Sequence, residues 1–171
     1  MDSVELLQYS VKNAFEILGS VTADMTQEQA DWPPPGTANP AGALYWHTID
    51  STDQNVHGWG LGQAPLSQTA GWQDKVLLAS APEGEEDMAV IMRAARVDLP
   101  ALHEYAGAVA EATQTWLASL TPDDLDRKIE TPYGELILGQ MVEMFVAWHV
   151  NAHCGEIAVL KGLQGARGYP F

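Results

Sequence analysis

The sequence predicts an all-α protein, a four-helix bundle in a single domain over residues 1–171. Three observations support this fold class. Apolar residues recur at three- and four-residue steps in four long segments, which is the spacing of helices that each bury one face. Clusters of proline and glycine separate these segments. Hydrophobic residues make up 46% of the 171 positions, enough to form one core of ordinary size.

The first helix has a single apolar face that ends at Gly19 and Ser20, where we expect the helix to stop. The residues of this face are Val4, Leu7, Val11, Ala14, Phe15 and Leu18. A short helical segment is expected at 26–31. The run Trp32–Gly36 contains three consecutive prolines and predicts an extended loop, because proline cannot continue a helix.

The second helix is predicted over Pro40–His57. Asn39 is the expected N-cap residue of this helix, and Pro40 suits its first turn. Three glycines that begin at Gly58 are expected to end this helix. The region 60–86 is the least regular part of the chain. We expect short helices within it, because a structureless loop of that length is unusual, and it would serve as a lid or an extra packing element.

The second half of the chain predicts two more long helices with a hairpin between them. Asp98 is the expected cap of the third helix, whose apolar stripe extends over Leu99–Leu120, and a separate helical segment is expected before it at 88–97. The segment Lys128–Leu138 alternates weakly around a Pro-Tyr-Gly turn, which favours a small hairpin. The fourth helix is predicted over Gly139–Lys161.

The charge balance restricts the choice of partners. The chain has 8 Lys and Arg against 23 Asp and Glu, a formal net charge of −15, so its surface repels phosphate backbones. Nucleic acid and anionic membrane are therefore excluded as main partners. No apolar run approaches the ~18 residues of a membrane span, and the N-terminus lacks a signal-peptide pattern. The single Cys154 cannot form an internal disulfide, so the chain is expected to be cytoplasmic.

Two histidines of the last helix form a candidate metal site. His149 and His153 are spaced i, i+4, which places both rings on one helix face where two imidazoles can meet one ion. Val150 follows the first of them, so the helical metalloprotease motif is absent. Such a pair also occurs as two ordinary polar residues, one packed and one solvated, and spacing alone leaves both interpretations open.

His47 lies in a polar stripe of the second helix with Ser51 and Gln54, and Asp50 stands at its edge. The same helix carries apolar residues such as Trp46, so burying this stripe would require compensation by a metal site or a polar pocket. A core or surface histidine is the alternative for this residue considered by itself.

Three further residues complete the candidate groups. Glu156 falls about 20° from His149 around the helix axis, within reach of a hydrogen bond or a fourth ligand position. His57 and His103 are expected to be solvated or capping residues. Cys154 is expected to be a small core residue rather than a nucleophile.

These blocks resemble those of the DinB/YfiT-like superfamily. The last-helix segment WHVNAHCGEI, 148–157, looks like the H-x3-H-x-G-[QE]-I signature of that superfamily. The segment ALYWHTID, 43–50, is similar to its first ligand block, and TPYGELILGQ, 131–140, is similar to the turn before its last helix. Leu138 departs from the small or hydroxyl residue that many members carry there, which affects turn chemistry and not the ligands.

The resemblance implies a DinB-like bundle of the up-down-down-up type in which His47, His149 and His153 bind one divalent metal ion. Zinc, nickel and iron(II) are all compatible with imidazole ligands. Asp50, Gln54 and Glu156 would be the polar residues around the ligands. The aromatic residues that could line a pocket are Tyr45, Trp46 and Trp72. A homodimer is a further expectation that the family resemblance carries.

Three functions remain open at this stage. Some relatives are thiol-dependent S-transferases or maleylpyruvate isomerases, which implies a metal-dependent enzyme acting on a small molecule with a low-molecular-weight thiol. The shortage of arginine argues against an anionic thiol, since none of the four arginines lies in a ligand block. The second function is a non-catalytic metal-binding or stress-associated interaction module. The third is a purely structural bundle whose histidines face water.

Overall fold

Four long helices, joined by short helices, one hairpin and a second pair of short antiparallel strands, make up the computed structural model, which describes residues 1–170. The first elements are α1 (Ser3–Thr22), α2 (Gln27–Asp31), α3 (Ala41–Asp53) with a π-helical continuation (Gln54–Leu61), α4 (Leu66–Thr69), α5 (Trp72–Val76), β1 (Leu77–Ala79), α6 (Met88–Ala94) and β2 (Arg96–Val97). The remaining elements are α7 (Leu99–Ala118), a 3-10 turn (Pro122–Asp126), β3 (Lys128–Thr131), β4 (Gly134–Ile137), α8 (Leu138–Val142), a π-helical turn (Glu143–Trp148) and α9 (His149–Leu163).

The long helices bury their apolar faces against one another. Both α1 and α3 pack against α7 and α9, which encloses the main core between the four helices. A second core lies near the other end, where the β3–β4 hairpin covers α8 and the C-terminal end of α7. The all-α bundle prediction is thereby confirmed. Within 1–170, no helix is both long and apolar enough to cross a membrane.

Two helix starts were predicted from capping residues, and one of these predictions is correct. Asp98 caps α7, since its Oδ1 accepts a hydrogen bond from the amide of Ala101 at 2.9 Å. Asn39 does not cap α3. The cap position falls one residue later, at Pro40, which has no polar side-chain atom to accept a hydrogen bond.

The first helix continues beyond its predicted end. Gly19 and Ser20 were expected to stop α1, but the helix extends to Thr22. Val21 and Thr22 are fully buried there, and the Thr22 hydroxyl donates to the carbonyl of Leu18 at 2.9 Å. Burial of this last turn outweighs the low helix propensity of glycine.

The second helix also passes its predicted end at His57. Gly58 and Gly60 both lie inside the π-helical continuation, which ends only at Gly62, where φ is +66°. Gly60 sits directly under the indole of Trp116, so close that a Cβ atom would lie 2.7 Å from the ring. This glycine therefore permits contact between helices instead of breaking one.

The region 60–97 is ordered around one buried carboxylate. Asp53 has no exposed surface, and its two oxygens accept from the amides of Leu66 and Ser67 at 3.0 and 2.7 Å and from the Tyr105 hydroxyl at 2.6 Å. It thus fixes the start of α4 to α3 and α7. The short helices expected in this region are present, as is the separate segment α6 before α7.

The expected hairpin is present as the antiparallel pair β3–β4, with Thr131 opposite Gly134 at the turn. The last long helix covers the predicted range and adds a residue or two at each end, but it contains the π-helical turn just before His149. The Asn55 side chain donates to the carbonyl of Phe145 in that turn at 3.1 Å. A side-chain donor thus serves a carbonyl where the α-helical ladder is interrupted.

We predict that Gly60→Ala lowers the free energy of unfolding by about 1–3 kcal/mol, because the added methyl group must displace the buried Trp116 ring. Gly58→Ala is the matched control. A Cβ at that exposed position meets no atom within 4 Å, so the change should be neutral or stabilising by up to about 1 kcal/mol. Urea unfolding of both variants measures the difference, and equal effects would contradict the close-packing role of Gly60.

Candidate metal centre

Three histidines from two helices meet between α3 and α9. The Nε2 atom of His149 lies 3.3 Å from Nε2 of His47 and 3.2 Å from Nε2 of His153. His149 and His153 are one helical turn apart, as their i, i+4 spacing predicts, and His47 reaches them across the α3–α9 contact. The ring nitrogens all lie within 4.8 Å of one another, so these three residues, the triad, could hold a metal ion.

The outward-facing nitrogens of two triad rings have polar partners. His153 Nδ1 lies 2.6 Å from Glu156 Oε2, and His47 Nδ1 lies 3.3 Å from the Ser51 hydroxyl. A proton on Nδ1 that is donated to Glu156 leaves Nε2 of His153 as an acceptor that faces the other rings. The Nδ1 atom of His149 is buried and has no hydrogen-bond partner among the described residues.

Two of the triad imidazoles are held in the neutral form. Burial, followed by the neighbouring His153, lowers the pKa of His47 to about 4. Burial, followed by His153 and His47, lowers the pKa of His149 to about 3. Both rings therefore present an unprotonated nitrogen at neutral pH, the form that binds a metal ion.

The spacing of the nitrogens suits a small divalent ion. A tetrahedral ion with Zn–N bonds of about 2.0–2.1 Å separates its nitrogen ligands by about 3.3 Å. The two Nε2 distances of 3.3 and 3.2 Å match this value. Without an ion or a proton between them, three acceptor lone pairs would face one another at close range, so the donor set fits a cation.

The other polar residues selected from the sequence occupy different places. Glu156 contacts His153, whereas its helical angle alone had placed it beside His149. Asp50 accepts a hydrogen bond from Tyr105 at 3.5 Å and so joins the cluster around Asp53. The exposed Gln54 side chain donates to the Ser67 hydroxyl at 3.5 Å.

The aromatic residues proposed for a pocket lie mainly in the core. Trp46 is partly buried against the main core, and Tyr45 is only 2% exposed. The Tyr45 hydroxyl lies 3.2 Å from His103 Nδ1, so His103 is half-buried and is not the solvated residue that we expected. Trp72 stacks on the ring of Tyr105 at a centroid distance of 5.7 Å.

His57 is the residue that the sequence reasoning misjudged most. It is 6% exposed instead of solvated, and its Nδ1 lies 2.7 Å from Asp53 Oδ1. The i, i+4 spacing of these two residues on one helix was the available signal. Cys154 is 1% exposed and packs in the main core, which confirms the expected role, and burial raises the pKa of its thiol to about 11.

The Asp50 carboxyl supports a prediction about pH. Burial, and then the neighbouring Asp53, raises the pKa of Asp50 to about 6. Ionisation of Asp50 therefore lowers the free energy of unfolding. The stabilisation by the protonated carboxyl is complete below its unfolded pKa near 4 and is lost as the pH rises to 6. We predict that Asp50→Asn is close to wild type in stability at pH 4 and more stable by about 1–3 kcal/mol at pH 7.

Urea unfolding at several pH values between 4 and 7 tests this, with Asp74→Asn as the control because Asp74 is exposed on α5 and its loss changes the net charge equally. A difference between Asp50→Asn and wild type that stays constant with pH would contradict the assignment.

Comparisons with known proteins agree with this fold. The crystal structure of the conserved protein of locus from Enterococcus faecalis is similar, with a TM-score of 0.75 and 20% sequence identity over 95% of this chain and 97% of that chain. None of the curated proteins compared matches the sequence. The family model of the DinB superfamily matches residues 13–157. Since this match covers most of the chain and includes all three triad histidines, the protein belongs to the DinB superfamily.

Proposed function

We propose that the triad binds one divalent metal ion and that the protein is a metal-dependent enzyme for a small-molecule substrate. The observation that carries the proposal is the close approach of three imidazoles: His149 Nε2 lies 3.3 Å from His47 Nε2 and 3.2 Å from His153 Nε2, and one nitrogen of each ring lies within 4.8 Å of the others. Zinc, nickel and iron(II) are the candidate ions, because imidazole suits each of them.

Three imidazole ligands leave coordination positions open, as catalytic sites do and structural zinc sites do not. The ion would supply Lewis-acid activation of a water or thiol ligand, since neutral nitrogen donors leave its positive charge uncompensated. The protein's own contribution is to hold His47 and His149 neutral by burial and to orient His153 through Glu156. Thiol-dependent transfer or isomerisation is the reaction class that we would test first.

We predict that the purified wild-type protein binds about one divalent ion per chain and that His47→Ala and His149→Ala each weaken binding on the order of 100-fold or more, because two imidazoles make a poor site. Elemental analysis and titration with zinc, nickel and iron(II) measure this. His103→Gln is the control, since His103 lies outside the triad and glutamine can still bond the Tyr45 hydroxyl. Full metal content in His47→Ala would contradict the three-histidine site.

The same variants separate an enzyme from a metal-binding module. Metal-dependent turnover of a thiol-transfer or isomerisation substrate that disappears in His149→Ala would support the enzyme. Full metal loading without turnover across the panel would favour the non-catalytic module instead.

We predict that Glu156→Gln weakens metal affinity by about 10–100-fold while the fold is retained, because an amide orients the His153 ring less strongly than a carboxylate does. Glu156 is on the surface, so stability should change little. Competition with a chromophoric chelator measures the affinity. Glu143→Gln, an exposed change on the same long helix, should leave it unaltered. Equal affinities for the two variants would show that Glu156 does not support the site.

A further inference from the structure

A cavity of about 720 Å³ opens beside the triad, within the size range of small-molecule sites. Its walls are largely apolar and come from α3, α9 and the C-terminal segment. The lining residues that matter here are Leu44, Val159, Leu163, Tyr169, Asn39 and Glu156. None of the triad residues lines the cavity, but Leu44 lies one turn before His47 and Glu156 contacts His153, so the cavity lies near the triad on both helices.

Two oxygen acceptors line this apolar space. Glu156 uses Oε2 for His153, which leaves its other carboxylate oxygen, Oε1, for a ligand. The Oδ1 atom of Asn39 is shielded from solvent and also lacks a hydrogen-bond partner in the described part of the chain. A buried acceptor without a donor is costly, so a ligand that brings N–H groups would be favoured here.

The lining of this cavity contains no basic side chain. All eight basic residues are described, and none of them lines it. Arg93 and Arg167 stand at its rim, but their guanidinium groups donate to backbone carbonyls, Arg93 to Gly36 and Ala38 and Arg167 to Tyr169. Arg96 donates to Ala95 and Arg127 to Gly60. Three lysines pair with carboxylates, namely Lys12 with Glu16, Lys128 with Glu135 and Lys161 with Asp24, and Lys75 lies over the Trp72 ring.

We infer that this cavity binds a small apolar ammonium compound, with its hydrocarbon part against Leu44, Val159 and Leu163 and its N–H groups directed to Glu156 and Asn39. An anionic ligand would meet the Glu156 carboxylate and no basic side chain in the lining, in a chain of net charge −15. The inference rests on the proposed function only in taking this cavity as the substrate pocket of the metal centre.

Three probes of one shape and different charge test this: phenethylamine, phenethyl alcohol and 3-phenylpropionate. Each is titrated into the purified protein, before and after removal of metal by a chelator, and followed by amide chemical shifts. We expect the amine to bind at least about 10-fold more tightly than the carboxylate, with shifts centred on residues of the cavity. Because the preference is measured with and without metal, it can fail or succeed independently of metal loading at the triad.

Glu156→Gln should remove the preference for the amine over the alcohol and leave alcohol binding unchanged, whereas Glu143→Gln should keep it. Leu163→Ser, at a position that is 62% exposed, should weaken all three probes alike. Equal binding of the amine and the carboxylate by the wild type would overturn the inference. So would an amine preference that survives Glu156→Gln, a parallel loss of alcohol binding in that variant, shifts outside the cavity, or no binding of the amine.

Discussion

The close packing of α3 against α9 is the constraint on which the rest of the site depends. Three imidazole rings at this spacing need an external constraint, because acceptor nitrogens that face one another repel. Apolar burial in both helices, by Ile49 on α3 and by Val150 and Ile157 on α9, holds the backbones together instead. The core thus provides the free energy that keeps the three rings close together, in an arrangement that could hold a metal ion.

Asp53 extends this arrangement to the irregular region of the chain. This buried carboxyl group accepts hydrogen bonds from the amides of Leu66 and Ser67 and from the Tyr105 hydroxyl, and it contacts His57, so its burial is compensated by polar partners. Asp50 shares Tyr105 with it and has no comparable set of donors. Burial, and then the neighbouring Asp53, raises the pKa of Asp50 to about 6.

Local pattern was enough to predict the fold class, the Asp98 cap, the β3–β4 hairpin and the one-turn spacing of His149 and His153. The parts that failed depend on distant residues. Burial of Val21 carries α1 past Gly19, and the position of Trp116 explains why Gly60 lies inside a helix. His57 seemed solvated because its partner, Asp53, is itself buried by residues far along the chain. The meeting of His47 with the α9 pair came from the family resemblance, since spacing within one helix cannot locate a second helix.

The π-helical turn at Glu143–Trp148 affects the orientation of His149 and His153 relative to His47. A π-helical turn accommodates one residue more than the regular helix would over the same length, and each residue advances an α-helix by about 100°. Removing one residue from this turn would therefore restore regular winding and rotate His149 and His153 away from His47 relative to the helix that precedes them. The direction in which the two imidazoles point thus depends on the number of residues in a π-helical turn that contains none of the triad histidines.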